Sequence, residues 1–291
     1  MRVRSIGLWA LAMTPVVFLA TSPVAWAQTS TAAPITAKID GKYGYWLPPD
    51  LSQHGSQIDN LITILHWFMA ALFVGWAIFL VRCLIRYRAR PGHAACYDLI
   101  KARPAKAVEV AVVIVEIVLL AGFSIPAWAK VKNDLPTEAD TIRVRVVAEQ
   151  FAWNFHYPGK DGIFGRTGPQ HVNPATNAVG IDLSDEHAGD DVQTKEFHVP
   201  SDKPVICEIS SKDVIHSFSI PVLRVKQDAI PGMRIPVWFR MKPGSEGNYE
   251  VACAQLCGNN HYNMKALMVI ETPEKFAAWL TKAGEKEIFE D

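Results

Sequence analysis

The apolar positions crowd into the first 130 residues, and beyond them the pattern changes to short alternating stretches. Behind Arg2 and Arg4, an apolar run extends from Ile6 to about Leu19 and closes on Ala25-Trp26-Ala27 ahead of Gln28. That layout is a secretory signal peptide, too short and wrongly flanked for a spanning helix. Residues 1–27 are read as that signal, with an uncleaved anchor as the alternative, and 28–57 as an outer N-terminal segment. Leu61 to Val81 carries no charge, and Ala107 to Ala129 is interrupted by Glu109 and Glu116. Each run is about the 20 residues that cross a bilayer core. Residues 58–130 are therefore expected to form a transmembrane helical hairpin, with spans at about 61–81 and 107–129.

After Lys130 the period shortens. Thr141 to Val147 alternates apolar and polar, as a half-buried strand does. Val192–Val199, Val205–Ser210, Ile235–Met241, Tyr249–Ala254 and Ala266–Glu271 read as further strands. Proline and glycine separate them at Pro200, Pro204, Pro231-Gly232 and Pro243-Gly244. Many short strands with frequent turns predict a β-sandwich over 131–291. Pro158 to Asp191 follows neither period and is expected to be a long loop. Near the end, Thr272 as N-cap, Pro273 at the first position and Glu274 in the first turn predict a short helix.

Charge sets the orientation. Arg82, Arg86, Arg88, Arg90, Lys101, Arg103 and Lys106 lie between the two spans against a single acid, Asp98. The positive-inside rule puts that linker in the cytoplasm and both ends of the mature chain outside. The formal net charge of zero argues against a nucleic-acid partner.

The candidate chemistry is concentrated in one segment. Of the five cysteines, Cys83 and Cys96 fall on the membrane and cytoplasmic side, and Cys207 sits in an alternating stretch as a small buried hydrophobe. Cys253 and Cys257 remain, in Cys253-Ala-Gln-Leu-Cys257-Gly-Asn-Asn-His261-Tyr-Asn-Met264. Two thiolates, an imidazole and a thioether within twelve residues suit copper. Zinc sites use Cys, His and carboxylate, so the thioether favours copper over zinc. His216, in Asp213-Val-Ile-His216-Ser, is the candidate for a second imidazole.

Together with Lys226-Gln-Asp228-Ala-Ile-Pro231-Gly232 and Glu149-Gln150-Phe151-Ala152-Trp153-Asn154-Phe155, this segment resembles the copper-binding subunit II of haem–copper cytochrome c oxidases. The resemblance covers roughly residues 55–280 and implies a cupredoxin-like Greek-key sandwich behind the hairpin. It implies two copper ions (CuA) bridged by Cys253 and Cys257 and capped by His216 and His261. Met264 and the backbone carbonyl of Gln255 would be weak ligands. It further implies electron transfer from a c-type cytochrome through copper to haem in subunit I, for oxygen reduction coupled to proton translocation. The oxygen-reducing site would lie outside this chain. Subunits I and III, membrane lipid and the cytochrome are the expected partners. The cytochrome could be held in a supercomplex with a quinol-oxidising complex. The expected location is a bacterial inner membrane, crossed twice, with both termini periplasmic.

The sequence departs from the family pattern in three places. Gln255 replaces the usual Glu, and a neutral amide is a poor ligand for a hard cation. The family's magnesium site at the subunit I border is therefore not carried over. Phe151 stands where the family has its electron-entry Trp, and the loop 158–191 is longer than in the common forms. Phe151, Trp153 and Asp213 are the expected docking residues, joined by Asp182, Asp185, Glu186, Asp190 and Asp191 if their loop turns toward the copper; the alternative is a solvated loop. Glu109, near the cytoplasmic end of the second span, is the candidate for a proton path, and Glu116 lies two turns further on. Three rivals fit less well. A nitrous oxide reductase needs a large propeller, a thioredoxin-like copper chaperone needs alternating strands and helices, and a quinol oxidase subunit II lacks the cysteines.

Overall fold

The computed structural model describes residues 47–92, 94, 97, 103–137 and 141–286. The expected signal peptide, the start of the outer segment, Cys96, Asp98 and Lys101 lie outside the described residues. Helix α1, Gly55–Arg86, contains the first predicted span and runs past it at both ends. Its 32 residues reach about 48 Å, more than the roughly 30 Å of a bilayer core.

The second span is one continuous helix over Arg103–Asn133, as predicted, with a π turn inside it: α2 (Arg103–Leu119), the π turn (Leu120–Ser124) and α3 (Ile125–Asn133). Pro126 explains the π turn. It has no N–H to give to the preceding turn, and its ring crowds the carbonyl four residues back, so the helix widens beside Gly122. Both spans are long and apolar enough to cross a membrane, and their apolar side chains face outward from this chain.

The outer part is a sandwich of two five-stranded sheets, ordered β3-β2-β1-β5-β8 and β4-β10-β9-β6-β7. The strands are β1 Ile142–Glu149, β2 Ala152–Tyr157, β3 Val192–Thr194, β4 Phe197–Pro200 and β5 Pro204–Ser211. They continue with β6 His216–Ile220, β7 Val225–Ala229, β8 Ile235–Arg240, β9 Gly247–Cys253 and β10 Lys265–Glu271. Val144, Val146 and Ala148 of β1 and Phe155 of β2 face Phe197, Phe218, Val251 and Met268 of the other sheet in a closed apolar core. Cys207 is fully buried in it, as its alternating surroundings predict.

One predicted strand is two. Val192–Val199 bends at Lys195-Glu196, and its halves enter different sheets, β3 beside β2 and β4 beside β10. The alternation runs on across the bend, so periodicity alone does not mark it. The closing helix, α4 Pro273–Lys286, begins where predicted, and the Thr272 carbonyl accepts from the Phe276 amide. Its Phe276 and Trp279 pack on Tyr157, and Trp279 stacks on His198 with ring centroids 4.0 Å apart.

The segment 158–191 has no strand or α-helix, as expected, yet it is folded. Its own carboxylates and amides hold it. Asp190 accepts from the amides of Lys160 and Asp161, Asp185 from that of Arg166, and Asp182 from that of Ser184. Asn177 bridges to the carbonyls of His171 and Ile181. A small apolar cluster of Val179, Ile181 and Ala188 packs on Val147 of β1. The loop thereby covers the outer face of the first sheet, and β2 becomes buried on both faces. Under it, His156 Nε2 and Asp191 Oδ2 meet at 2.6 Å, both side chains fully buried.

Candidate metal centre

Three strands of one sheet deliver the predicted ligands to one end of the sandwich. His216 opens β6, Cys253 closes β9, and Met264 directly precedes β10. Strands β9 and β10 are antiparallel neighbours, so residues 254–263 form a closed excursion between them. The Cys253 amide donates to the Met264 carbonyl at 3.0 Å, sealing the neck of that loop. The Ala254 amide donates to Ser217 at 2.9 Å, which ties the loop to β6 and hence to His216. A 3-10 turn at His261–Asn263 then brings His261 back toward the cysteines.

All six predicted donors converge. The sulfurs of Cys253 and Cys257 are 3.8 Å apart. Cys253 Sγ lies 3.9 Å from His216 Nδ1 and 3.2 Å from the Gln255 carbonyl oxygen. Cys257 Sγ lies 3.6 Å from His261 Nδ1 and 3.7 Å from Met264 Sδ. A disulfide would hold its sulfurs at about 2.05 Å. Two thiolates each about 2.3 Å from a shared tetrahedral metal stand roughly 3.7 Å apart, which the observed spacing matches. The donors are soft sulfurs and imidazoles with one carbonyl, a set that suits copper.

The surroundings fix these donors. His216 is fully buried, and its Nε2 meets Asp213 Oδ1 at 2.8 Å, leaving Nδ1 for the sulfur side. Desolvation alone would raise the Asp213 pKa, but the bonds from His216 and from the Gln150 and Val214 amides outweigh it and hold it below the ordinary value. Burial and the neighbouring Cys253 push the Cys257 thiol up to about 11, so a metal must displace a held proton. Gln150, which the sequence offers only as part of the aromatic stretch, has a structural part here. Its amide donates to Asp213 Oδ2 at 2.7 Å, and its side chain donates to the Cys257 carbonyl, which fastens β1 to the metal loop. Nothing in its immediate sequence distinguishes it from a surface glutamine. Gly258, at φ +137°, lets the loop approach this fastening, because a Cβ there would come within 2.8 Å of Gln150 Nε2 and 3.0 Å of Phe151.

Several docking expectations are corrected. Trp153 is 1% exposed, edge-on to His216 at 6.2 Å and to Phe218 at 5.4 Å, because inward-facing β2 positions enter the core. It cannot be a contact residue for a partner. Asp213 turns its carboxylate to His216 and the Gln150 amide, and its side chain stays 33% exposed at the surface. Asp182, Asp185, Asp190 and Asp191 are spent on the loop's own backbone and on His156, and of the five acids only Glu186 is strongly exposed. Phe151 is half-buried beside Gly258 at the rim of the metal loop. Leu256 and Tyr262 are the strongly exposed apolar side chains of that loop. Glu109 and Glu116 are exposed on α2, far in sequence from this centre.

Comparison with known proteins shows what the chain is similar to. Residues 142–272 match the family described as "Cytochrome C oxidase subunit II, periplasmic domain". The chain is 31% identical over 238 residues to an alternative cytochrome c oxidase subunit 2 from Bradyrhizobium diazoefficiens, covering 81% of this chain and 83% of that one. It is 32% identical over 189 residues to a cytochrome c oxidase subunit 2 from Cereibacter sphaeroides, covering 60% of each. Among solved structures, the periplasmic domain of subunit II of cytochrome oxidase from Bradyrhizobium japonicum is 28% identical. That match covers 50% of this chain and 94% of that one at a TM-score of 0.36.

Proposed function

Because the chain belongs to the cytochrome c oxidase subunit II family, we propose that its metal loop carries the electron-entry centre of a terminal oxidase. The cupredoxin-like sandwich and the two apolar helices fit a membrane-anchored subunit of that oxidoreductase complex. In this reading residues 1–27 are a signal peptide, 58–130 a two-pass anchor in a bacterial inner membrane, and 131–291 a periplasmic domain. A c-type cytochrome supplies the electron, and haem in subunit I receives it. Subunit III and a supercomplex with a quinol-oxidising complex complete the expected assembly.

The observation that carries the proposal is the convergence of six donor groups from three strand ends and one loop. His216, Cys253, Cys257, His261, Met264 and the Gln255 carbonyl would hold two copper ions. Copper bound by these soft donors would supply one-electron chemistry, and a donor set held in place by the fold would change little between the two oxidation states. The chain's own residues make that centre stiff. Asp213 holds His216 in one tautomer and one orientation, the role such outer partners play at metal sites. Gln150 ties the Cys257 carbonyl to the end of β1. The buried edge of Trp153 supports the His216 ring and keeps water from that side. Phe151, at the rim, is the proposed point of contact for the donor.

The test is substitution of either bridging thiol in the full chain. Cys253→Ser and Cys257→Ser should each abolish the mixed-valence paramagnetic signal while the sandwich keeps its circular dichroism. Persistence of the signal in either variant would remove both residues from the centre. Proton uptake is a separate proposal, resting on an acid within a span. Glu109→Ala should slow steady-state oxygen consumption with copper content unchanged, and an unchanged rate would remove Glu109 from any proton path.

A further inference from the structure

Arg224 occupies a left-handed backbone conformation, φ 57° and ψ 28°, where the 3-10 turn Pro221–Leu223 reverses into β7. Glycine adopts that conformation without a steric penalty and a long side chain does not. The backbone alone therefore gives no reason for arginine here, and the side chain supplies one. It is 7% exposed, and its donors are used on every side. Nε donates to Asp59 Oδ1 at 2.6 Å and Nη2 to Asp59 Oδ2 at 2.9 Å. Nη2 also donates to the Pro48 carbonyl at 2.6 Å, and Nη1 to that of Pro221 at 2.7 Å. Asp59 lies on α1 close to its outer end, 165 residues away in sequence. A planar fork on a carboxylate fixes orientation as well as distance.

The hairpin that Arg224 closes is the one that carries a metal ligand. Strands β6 and β7 pair from Ile220↔Val225 at the Arg224 end to His216↔Ala229 at the other. A second tie reaches β7 from the second span, where Lys132 Nζ donates to Gln227 Oε1 at 2.8 Å. On the neighbouring sheet, Trp238 Nε1 donates to the Val131 carbonyl at 2.7 Å. Both spanning helices thus grip the sandwich, and the strongest grip is a two-pronged ion pair at the base of the His216 hairpin.

We propose that Arg224, clamped on Asp59, is a positioning residue that sets where the metal centre stands over the spanning helices, and through that the rate at which an electron leaves it for the neighbouring subunit. The inference rests on the copper reading above. It assigns to a residue remote from the donors a part in transfer that ligand chemistry does not cover.

Arg224→Gly suits the test, since glycine keeps the turn and removes the clamp. In the assembled oxidase, Arg224→Gly and Asp59→Asn should each leave the mixed-valence copper signal intact. A misplacement of about 1 Å can cost reacting groups about 100-fold, and the smaller shift expected here should slow departure of a photo-injected electron from copper by about tenfold in each variant. The double variant should be no slower than either single one, and the reversed pair Arg224→Asp with Asp59→Arg should recover most of the rate. Hydrogen exchange of the first turns of α1, read in the metal-free full chain, should accelerate in both single variants. Wild-type departure with accelerated exchange would overturn the positioning role, and wild-type exchange would overturn the clamp itself. Loss of the copper signal along with the rate would reduce Arg224 to a folding residue. A parent protein with no mixed-valence signal would instead sink the copper reading, with the exchange result still reporting on the clamp.

Discussion

Two loops of this protein have no strand or α-helix and are ordered by opposite means. The metal loop, residues 254–263, contains no charged residue. It is held at its neck by backbone bonds to β6 and β10 and from outside by Gln150, so its donors stay unspent. The long loop, residues 158–191, is acid-rich, and its carboxylates are consumed on its own amides, on Arg166 and on His156. A donor set whose ligand atoms face one another, with His216 held from behind by Asp213, marks a site. Carboxylates already satisfied by backbone mark a scaffold, whatever their number.

The sharpest way to break this comparison is to crowd the metal loop. Gly258→Val would drive a side chain into Gln150 and Phe151 at a positive φ. Copper retention should fall by about 100-fold while the apo sandwich melts near the parent temperature, as losses of outer support do at metal sites. Equal loss of Tm and copper would mean that the loop is not separable from the core.

The long loop should fail the opposite way. Asp191→Ala leaves buried His156 and the Gly165 amide without their partner and should cost about 3 kcal/mol of stability, read by denaturant titration, with copper content unchanged. Its pH dependence has a defined sign. Desolvation lowers the His156 pKa, with Arg145 and Arg234 adding and Asp191 opposing. The unfolded chain then binds the proton first, so stability is full above the ordinary histidine value of about 6.5 and is lost as pH falls below it toward the depressed folded value. Asp191→Asn removes the opposing charge and should steepen that acid loss. A pH-independent Tm between about 7 and 5 would contradict the buried neutral histidine.

Smaller effects follow. Asp213→Ala should weaken copper binding by about tenfold without lowering the apo Tm, because it orients His216 and lies partly at the surface. Phe151→Ala should slow copper reduction by the native donor severalfold with the copper spectrum intact; an unchanged rate would move the contact elsewhere. Least of all, neutralising Glu186 should leave the salt dependence of that reduction unchanged, since the acidic loop is a scaffold.

The same contrast explains what the sequence reveals. Most strands are visible because burial imposes a period on them, the spans because a bilayer core asks for about 20 apolar residues in a row, and the closing helix by its capping residues. The donor segment is visible because its residue types are chemically rare together. Trp153 stands in the aromatic stretch that carries the resemblance, and Asp213 three residues before His216, and these positions alone suggest surface contact. Only the pleat direction of β2 and the turn before β6 show that one is core and the other an orienting group. Strands β2 and β7 escape notice because β2 is buried on both faces by a loop, and β7 is a short edge strand with exposed Lys226 and Asp228. Arg224 escapes because a left-handed turn without glycine leaves no mark in the sequence.

The central claim is that one chain binds two coppers that share an electron. Copper analysis of the purified full chain, joined to paramagnetic resonance of the same sample, tests it most directly. Two coppers per chain and one unpaired electron coupled equally to both nuclei are expected. A single copper with a blue-copper spectrum, or a zinc-loaded centre with no signal on oxidation, would contradict it.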